Sequence, residues 1–532
     1  MTVPAGGDAA SPRTGTTAFA AHRQVVIVGA GPTGLTAAAL LADRGVECLV
    51  LDRRDEVHPQ PRAVHLDDEV YRILGMLDVA AEFAAISRPG AGLRLLDARH
   101  RVLAEFSRAT TAGRHGFPAA SMFDQPELER LLRRAVARRP RITLRTGVEV
   151  EQVVHERDCA RAALVDRRTG DRAVVRGRFV LGADGANSIV RASIGSRWEE
   201  RGFTQRWLVV DIGTSAGLGQ WEGVHQVCDS YRAATFMRIG ATRYRWEFRL
   251  RAGESVTDFD DLDRLDPLIR PWLGETAGAD LELIRAAEYT FRACVADRWR
   301  DRRILLLGDA AHLTPPFIGQ GLGSGMRDAA NLAWKLAGVL HGDLPAESLD
   351  SYQAERKPHA AALIRLAVGM GATMTRGGVT GDRMRRLAVP LLARLPGFAA
   401  MVTDSATPPL SPSMFVRPGP RTVPWRGRPL TGTLCPNLPI VPGGPRLDRS
   451  GERRFLVLTL DSPSAAQEFE IRRRGAAVVR VGPDSELGAW LGKAAACAAI
   501  VRPDRTVLTA GGSVAAVYTC LPVLPDRVPH PS

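Results

Sequence analysis

QVVIVGAGPTGLTAAALLADRGVECLVLD, residues 24–52, decides the fold of the first domain. An apolar run over 24–28 is followed by Gly29-x-Gly31-x-x-Gly34 and then by a helical pattern over 35–43. A second apolar run over 46–51 ends in Asp52. Strand, glycine turn, helix, strand and acidic residue, in this order, predict a βαβ unit of an α/β domain.

The glycine turn has the spacing that a dinucleotide requires. The first glycine permits the tight turn, the second lets the backbone approach a pyrophosphate, and the third lets helix and strand pack closely. The helix N-terminus, with Pro32 and Thr33, faces the negative charge. Asp52 is placed to accept hydrogen bonds from ribose hydroxyls. The motif indicates a dinucleotide without specifying which, and a glycine turn without a ligand is the alternative.

Two later motifs favour FAD over NAD. Gly182–Ser188, with Arg191, follows an apolar strand at 179–181, and Gly308–His312 follows another at 303–307. Both join a strand end, a glycine turn and a carboxylate (Asp184 and Asp309), as is needed to hold a ribityl or ribose hydroxyl or a pyrophosphate-bound water. Either alone could be a plain strand–turn, but the two in this order after the first motif rarely arise by chance.

These three motifs resemble those of the class A flavoprotein aromatic hydroxylases, the family of para-hydroxybenzoate hydroxylase and phenol hydroxylase, in which all three bind FAD. The segments most similar to the branch containing 3-(3-hydroxyphenyl)propionate hydroxylases are Phe123–Glu129, Trp207–Asp211, Pro315–Leu336 and Tyr352–Arg356. The resemblance covers about residues 23–365. It extends more weakly to Val501–Asp504, which is similar to the thioredoxin-like extension of this branch; without a CxxC, that extension should be redox-inactive.

The resemblance implies a set of cofactor-binding residues. Asp52 would bind the adenosine ribose, Arg62 and Gln125 would lie near the flavin or its ribityl chain, and Asp309 would lie at the ribityl or pyrophosphate. Backbone N–H groups of 319–322, at a helix N-terminus, would face the pyrimidine edge of the flavin, where the helix dipole favours negative charge. The full predicted set is Gly29, Gly31, Pro32, Thr33, Gly34, Asp52, Arg53, Arg62, Gln125, Asp184, Gly308, Asp309, Pro316, Gly319, Gln320, Gly321 and Leu322.

The implied reaction is the hydroxylation of a phenolic or polyketide-like aromatic compound. In the family, NADH or NADPH reduces FAD, O₂ adds to form a flavin C4a-hydroperoxide, and the protein supplies orientation and a site that excludes water. The sequence has no second GxGxxG, so the nicotinamide cofactor would dock transiently and its identity stays open. The alternatives are Baeyer–Villiger oxidation, epoxidation or dehydrogenation by a related FAD enzyme, and a non-catalytic FAD-binding sensor.

No catalytic residue is assigned. His225, Tyr231 and Tyr244 are candidates for substrate contact, although ordinary packing explains each of them as well. His312 belongs to the GDAAH motif, and this context favours a role in supporting the loop at the flavin over a role as general base. His65 departs from the family, which often has glycine at this position close to the flavin.

The predicted architecture is a Rossmann-like FAD-binding domain of the glutathione reductase type, an inserted antiparallel β-sheet domain and a C-terminal thioredoxin-like domain. The expected boundaries are a disordered tail (1–20), FAD-binding parts (21–92, 120–200 and, with a helical region, 299–406), substrate-domain parts (93–119 and 201–298), a linker (407–445) and the C-terminal domain (446–532).

Composition argues against several other classes. The net charge of +13 comes almost wholly from arginines spread along the chain, so nucleic-acid binding is not expected. No apolar run approaches the roughly 20 residues of a membrane span, and residues 1–20 lack the apolar region of a signal peptide. The seven cysteines lack zinc or disulfide spacing. We expect a cytoplasmic enzyme without a metal; a homodimer is common in the family.

Overall fold

The structure is a computed structural model that describes residues 22–59, 63–274, 280–395, 407–418, 430–450 and 453–523. The predicted tail at 1–20 and Arg62 lie outside the described residues, as do parts of the predicted linker, of the helical region and of the C-terminal domain. No helix in these ranges is long and apolar enough to cross a membrane.

The strands are named here in chain order. They are β1 (His22–Val28), β2 (Cys48–Leu51), β3 (His65–Asp67), β4 (Ser87–Pro89), β5 (Gly92–Leu96), β6 (Val102–Ser107), β7 (Ala120–Phe123), β8 (Ile142–Arg145), β9 (Val148–His155), β10 (Ala160–Asp166), β11 (Arg172–Gly182), β12 (Trp198–Gly213), β13 (Val224–Val227), β14 (Ala234–Arg238), β15 (Arg243–Arg249), β16 (Glu282–Ala296), β17 (Arg300–Asp301), β18 (Ile304–Leu306), β19 (His312–Leu313), β20 (Leu456–Thr459), β21 (Ala477–Arg480), β22 (Ala498–Val501) and β23 (Val507–Gly511).

The α-helices are named in the same way. They are α1 (Pro32–Ala42), α2 (Asp68–Met76), α3 (Ala80–Ile86), α4 (Gln125–Ala137), α5 (Ile189–Ser193), α6 (Leu262–Leu273), α7 (Gly321–His341), α8 (Asp350–Thr375), α9 (Gly378–Leu392), α10 (Ala465–Arg473), α11 (Glu486–Lys493) and α12 (Val514–Val517).

The first sheet carries the predicted βαβ unit. Its order is β17-β18-β11-β1-β2-β8, with β10 and β9 extending antiparallel from β11. The neighbours β18, β11, β1, β2 and β8 are parallel, so their carboxyl ends meet at one edge. The central strand β1 is apolar and buried from Val25 to Val28, and these residues belong to one apolar cluster with residues of α1 and α7.

The second sheet has the order β19-β16-β12-β15-β14-β13-β5-β6. The sequence predicts an antiparallel sheet here, and one pair differs: β5 and β13 are parallel. These two strands come from separate segments of the chain and are not joined by a hairpin, so nothing in their connection imposes antiparallel pairing. A small third sheet has the order β3-β7-β4.

A four-stranded sheet forms the C-terminal unit, in the order β21-β20-β22-β23. The β20–β21 pair is parallel and the other two pairs are antiparallel. The unit packs on α7 through Trp334, whose ring centroid lies 4.9 Å from that of Phe415 and 5.3 Å from that of Phe455.

Candidate functional site

The first glycine turn lies between β1 and α1 and is tightly packed on one side only. Gly29 has φ = +105°, and a Cβ there would lie 2.3 Å from the carbonyl oxygen of Ala183. A Cβ on Gly34 would lie 2.0 Å from the carbonyl oxygen of Gly29. Around Gly31, in contrast, no atom lies within 4 Å of a Cβ position. Packing therefore requires Gly29 and Gly34, whereas Gly31 leaves open backbone where a ligand can approach.

Asp52 follows β2 and lies beside the glycine turn. Its Oδ2 accepts a hydrogen bond from the Ala30 N–H at 2.6 Å, and its Oδ1 accepts one from the Arg54 N–H at 2.8 Å. Arg53 is exposed next to it. The carboxylate thus lies at the edge where the parallel strands end.

Asp184 follows β11 and holds the start of α5. Its Oδ1 accepts a hydrogen bond from the Ser188 hydroxyl at 2.5 Å, and its Oδ2 accepts one from the Val190 N–H at 3.2 Å. Burial raises the pKa of Asp184, and the two hydrogen bonds oppose that rise. Its neighbour Ala183 contacts Gly29, so the second motif supports the first.

The third motif contacts the first through Thr33. Gly308 has φ = +60°, and a Cβ there would lie 2.8 Å from the Thr33 hydroxyl oxygen. Asp309 follows in a 3₁₀ turn, Gly308–Ala310, and is half-buried. The three motifs therefore meet at the carboxyl ends of β1, β11 and β18.

Asp328 of α7 fixes the third motif in place. Its Oδ2 accepts a hydrogen bond from the Gly308 N–H at 3.0 Å and lies 2.8 Å from His312 Nε2. Its Oδ1 accepts a hydrogen bond from Arg356 Nε of α8 at 2.8 Å. All of these side chains are buried. His312 therefore contacts the carboxylate that holds the Gly308 turn, which is a supporting position.

The Pro315–Leu322 segment, called the flavin loop below, ends in α7. Pro316 opens a 3₁₀ turn, Gly319 is left-handed with φ = +61°, and no atom lies within 4 Å of a Cβ position on Gly321. Gln320 donates a hydrogen bond to Asp67 Oδ2 at 2.9 Å and accepts one from Arg327 at 2.9 Å. Arg327 in turn pairs with Asp67 at 2.5 Å. Leu322 is half-buried at the start of the helix.

His65 lies directly against the flavin loop. A Cβ on Gly319 would lie 2.8 Å from its Nδ1. Burial lowers the pKa of His65 to about 4, so the imidazole is neutral at pH 7. The side chain that replaces the family's glycine is therefore accommodated next to a loop glycine.

Gln125 opens α4 and holds the chain on the far side of the site. Its Oε1 accepts a hydrogen bond from the Ala63 N–H at 2.7 Å, and its Nε2 donates to Glu129 at 2.7 Å. Gln125 thus anchors the residue that follows Arg62.

The second sheet covers the flavin loop with one of its faces. The Trp207 ring of β12 lies 5.8 Å, centroid to centroid, from the ring of Phe317 in the loop. His225 and Tyr244 lie elsewhere: His225 packs on Phe236, and Tyr244 belongs to the apolar cluster under α6. Tyr231 is 65% exposed. The three residues singled out as substrate contacts are therefore not on the face that contacts the loop.

That face carries a buried set of charged side chains which sequence reasoning missed. Arg245 binds Asp211 through two hydrogen bonds, of 2.7 and 2.9 Å, and Arg285 lies 3.2 Å from the same carboxylate. Glu247 lies beside them. The alternation of aromatic and charged residues along Arg243–Arg249 predicts that the charged residues share one face of the strand, but it does not predict that this face is buried.

These features suit FAD. Open backbone at Gly31 and Gly321 lies at the N-termini of α1 and α7, where a helix favours negative charge. Asp52, beside the first glycine turn, adds an acceptor for hydroxyls.

Comparison with known proteins gives the family. Residues 22–367 match the family described as FAD binding domain, so the chain belongs to this family. The match confirms FAD as the cofactor and the resemblance predicted from the three motifs.

The curated relatives are hydroxylases. A probable NADH-specific resorcinol 4-hydroxylase of Rhodococcus jostii (strain RHA1) is 38% identical over 354 residues, which are 66% of this chain and 65% of that protein. A 3-(3-hydroxy-phenyl)propionate/3-hydroxycinnamic acid hydroxylase 2 of Burkholderia vietnamiensis (strain G4 / LMG 22486) is 33% identical over 516 residues, 91% of this chain and 92% of that protein. The alignment thus spans just under two thirds of the first relative and nearly all of the second. These relatives confirm the class, a flavin-dependent oxidoreductase of the aromatic-hydroxylase type.

Solved structures show the same fold. The flavin-dependent monooxygenase PieE in complex with FAD and substrate has a TM-score of 0.79 at 23% identity, over 95% of this chain and 98% of that chain. A ternary complex of aklavinone-11 hydroxylase with FAD and aklavinone has a TM-score of 0.77 at 24% identity, over 95% and 99% of the two chains. The predicted mixed α/β architecture of a flavin monooxygenase is therefore confirmed.

Proposed function

We propose that this enzyme hydroxylates a phenolic or polyketide-like aromatic compound, using NAD(P)H and O₂. The observation that carries the proposal is the contact of Trp207 with Phe317, which brings a polar sheet face against the flavin loop. A substrate bound between this face of the second sheet and the flavin loop would lie beside the flavin. The names of both curated relatives, which act on phenolic rings, support this substrate class.

The cofactor-binding residues are proposed from the geometry above. The turn at Gly29–Gly34 and the helix it opens would hold the pyrophosphate, Asp52 the adenosine ribose, and Gly319–Leu322 the pyrimidine edge of the flavin. Asp309 and Gln125 would lie along the ribityl chain, and Arg62 belongs to the same proposal. Asp184 would act by holding the start of α5, where its oxygens accept hydrogen bonds from Ser188 and Val190.

FAD supplies the redox chemistry of this family when it is bound. The protein's own contribution is to bind the ring, to orient one of its carbons and to exclude water. The buried aromatic rings of Trp207 and Phe203 pack on Phe317 and shield one side of the loop. The charged face of the second sheet, which bears Asp211, Arg245, Glu247 and Arg285, supplies the polar contacts that orient a hydroxylated ring.

NADH is the proposed reductant. The support is the name of one relative, a probable NADH-specific resorcinol 4-hydroxylase. Initial rates with equal concentrations of NADH and NADPH test this choice directly.

The C-terminal unit is proposed to be thioredoxin-like and redox-inactive. Its strand order and directions, with α10 between β20 and β21 and α11 between β21 and β22, give a βαβ half followed by an antiparallel hairpin, which supports this assignment. Its cysteines lack a CxxC pair. The domain boundaries given above and a homodimer are part of the same proposal; sedimentation of the holoenzyme measures the latter.

The function is tested with purified holoenzyme under air. We expect flavin absorbance bands, NADH oxidation that a phenol such as resorcinol stimulates, and a product one oxygen atom heavier than the phenol. A product two hydrogens lighter would indicate dehydrogenation instead. Flavin without phenol-stimulated oxidation or oxygenated product, across simple phenols and larger polyketide-like rings, would contradict the proposal.

A further inference from the structure

Strand β15 alternates between two buried faces of the second sheet. Tyr244, Trp246 and Phe248 point to one side, where they pack under α6. The residues between them, Arg245 and Glu247, therefore point to the other side. Charged residues at these positions would be expected to face water, but both are buried.

The face that bears Glu247 is the one that contacts the flavin loop. Glu247 is paired across the sheet with Val209 of β12 and with Thr235 of β14. Trp207, which touches Phe317 of the loop, lies two residues from Val209 on the same face. Two residues along a strand span about 7 Å. Glu247 thus lies one row of side chains away from the loop.

Glu247 is the unpaired member of the charged set on this face. Within the described residues its side chain makes no hydrogen bond and no ion pair, although only 7% of the residue is exposed. Asp211 forms ion pairs with both arginines, with Arg245 at 2.7 Å and with Arg285 at 3.2 Å. The hydroxyl of Thr235 donates instead to Gln226 at 2.9 Å.

An unpaired buried carboxyl group is unfavourable for stability, which indicates a functional reason for keeping it. Burial raises the pKa of Glu247; Arg245 lowers it, Asp211 raises it and Arg285 lowers it, and these are the charged groups that face it. A base with a raised pKa is suited to accepting a proton near neutral pH.

We propose that Glu247 binds the phenolic hydroxyl of the substrate and accepts its proton during hydroxylation. This inference rests on the proposed function. The phenolic O–H bond breaks, a new O–H bond forms on the carboxylate, and the electron pair stays on the phenolate oxygen. The phenolate ring is thereby more electron-rich at its ortho and para carbons. The proton returns to the product oxygen or to water on release, so the step involves no net oxidation.

The inference also selects among substrates. Asp211 and Glu247 balance Arg245 and Arg285 in charge, so these four side chains together offer no net positive charge to a substrate carboxylate. A neutral ring with hydroxyl donors fits this face better than a ring whose carboxylate must be buried beside Glu247.

The test compares Glu247→Gln with the wild-type holoenzyme, using resorcinol as the probe. The matched control is Glu288→Gln: Glu288 lies on the same sheet, but on the opposite face, paired with Arg206 at 2.6 Å. We expect Glu247→Gln to retain FAD and to lower kcat/KM for resorcinol by about 10²-fold or more, the range of general base catalysis. The acid limb of the wild-type pH profile of kcat/KM should disappear in this variant. The control should keep both the rate and the limb.

A binding measurement separates this inference from the proposed function. Flavin absorbance, recorded anaerobically, gives the affinity of the holoenzyme for resorcinol and for 1,3-dimethoxybenzene, which has no hydroxyl to donate. We expect Glu247→Gln to weaken resorcinol binding about tenfold and to leave binding of the ether unchanged, as for a lost hydrogen bond to a charged group. If the wild type forms no oxygenated product, the proposed function fails and this comparison alone decides the role of Glu247. Equal affinities of wild type and variant for resorcinol, or an unchanged pH profile in an active variant, would overturn the inference.

Discussion

Arg502 of the C-terminal unit forms an ion pair with Glu355 of α8 at 3.0 Å, and neither side chain is exposed to solvent. The same carboxylate binds Lys335 of α7 at 2.8 Å. Because α7 begins at the flavin loop, one continuous helix connects the C-terminal unit to that loop.

Removal of one partner should destabilise the enzyme strongly. Arg502→Met leaves the Glu355 carboxylate buried with one cation fewer, which costs about 3–5 kcal/mol. Urea unfolding of the FAD-free protein measures the change. Arg472→Met is the control, because its pair with Glu468 is exposed and should contribute little. Equal stabilities of the two variants would show that the buried pair does not hold the unit in place.

The same network predicts a loss of stability in acid. Burial alone would raise the pKa of Glu355, but Arg502 and Lys335 lower it from 4.5 to about 2. A group whose pKa is lower in the folded state stabilises the fold above its unfolded pKa, and this stabilisation is lost as the pH falls toward the folded value. The free energy of unfolding should therefore decrease between pH 4.5 and about 2. In Glu355→Gln this part of the decrease should be absent.

The same substitution at two glycines of the first turn should change two different properties, the stability of the protein in one case and its affinity for FAD in the other. Gly34→Ala places a Cβ 2.0 Å from a backbone oxygen and should lower the Tm of the FAD-free protein. Gly31→Ala meets no protein atom within 4 Å, so that Tm should stay unchanged while FAD affinity falls. Fluorescence titration with FAD and thermal unfolding give the two readouts. A Gly31→Ala protein that binds FAD as tightly as wild type would place the pyrophosphate elsewhere.

Glu247→Gln should stabilise the enzyme as the pH rises. Burial raises the pKa of Glu247, so the favourable neutral form is present below its unfolded pKa and is lost as the pH rises through the folded value. The amide of the variant cannot ionise. The difference in free energy of unfolding between the variant and the wild type should therefore increase in favour of the variant as the pH rises. Urea unfolding over a pH series checks this; a variant less stable than wild type at every pH would mean that Glu247 is a structural residue.

Local spacing was enough to predict the first domain. Gly29, Gly31 and Gly34 between two apolar runs leave few alternatives, and the observed β1, α1 and β2 lie within a few residues of the expected ranges. Helix α7 begins at Gly321, although Gly321 and Gly323 in its first turn have low helix propensity, so local propensity does not predict where this helix starts.

The charged face could not be predicted in the same way. Arg245 and Glu247 alternate with aromatic residues, and such a strand is normally half exposed. Their burial follows from the packing of this face of the second sheet against a distant part of the chain, as in the contact of Trp207 with Phe317, which sequence spacing does not report. The support of Gly308 by Asp328 likewise joins residues 20 positions apart in sequence.

The proposed hydroxylation is tested most directly by measuring where the new oxygen atom of the product comes from. The FAD-loaded enzyme is given NADH, resorcinol and isotopically labelled O₂, and the product is analysed by mass spectrometry. We expect a hydroxylated product that carries one labelled oxygen atom. A product labelled only from water, or one that has lost hydrogen without gaining oxygen, would contradict it.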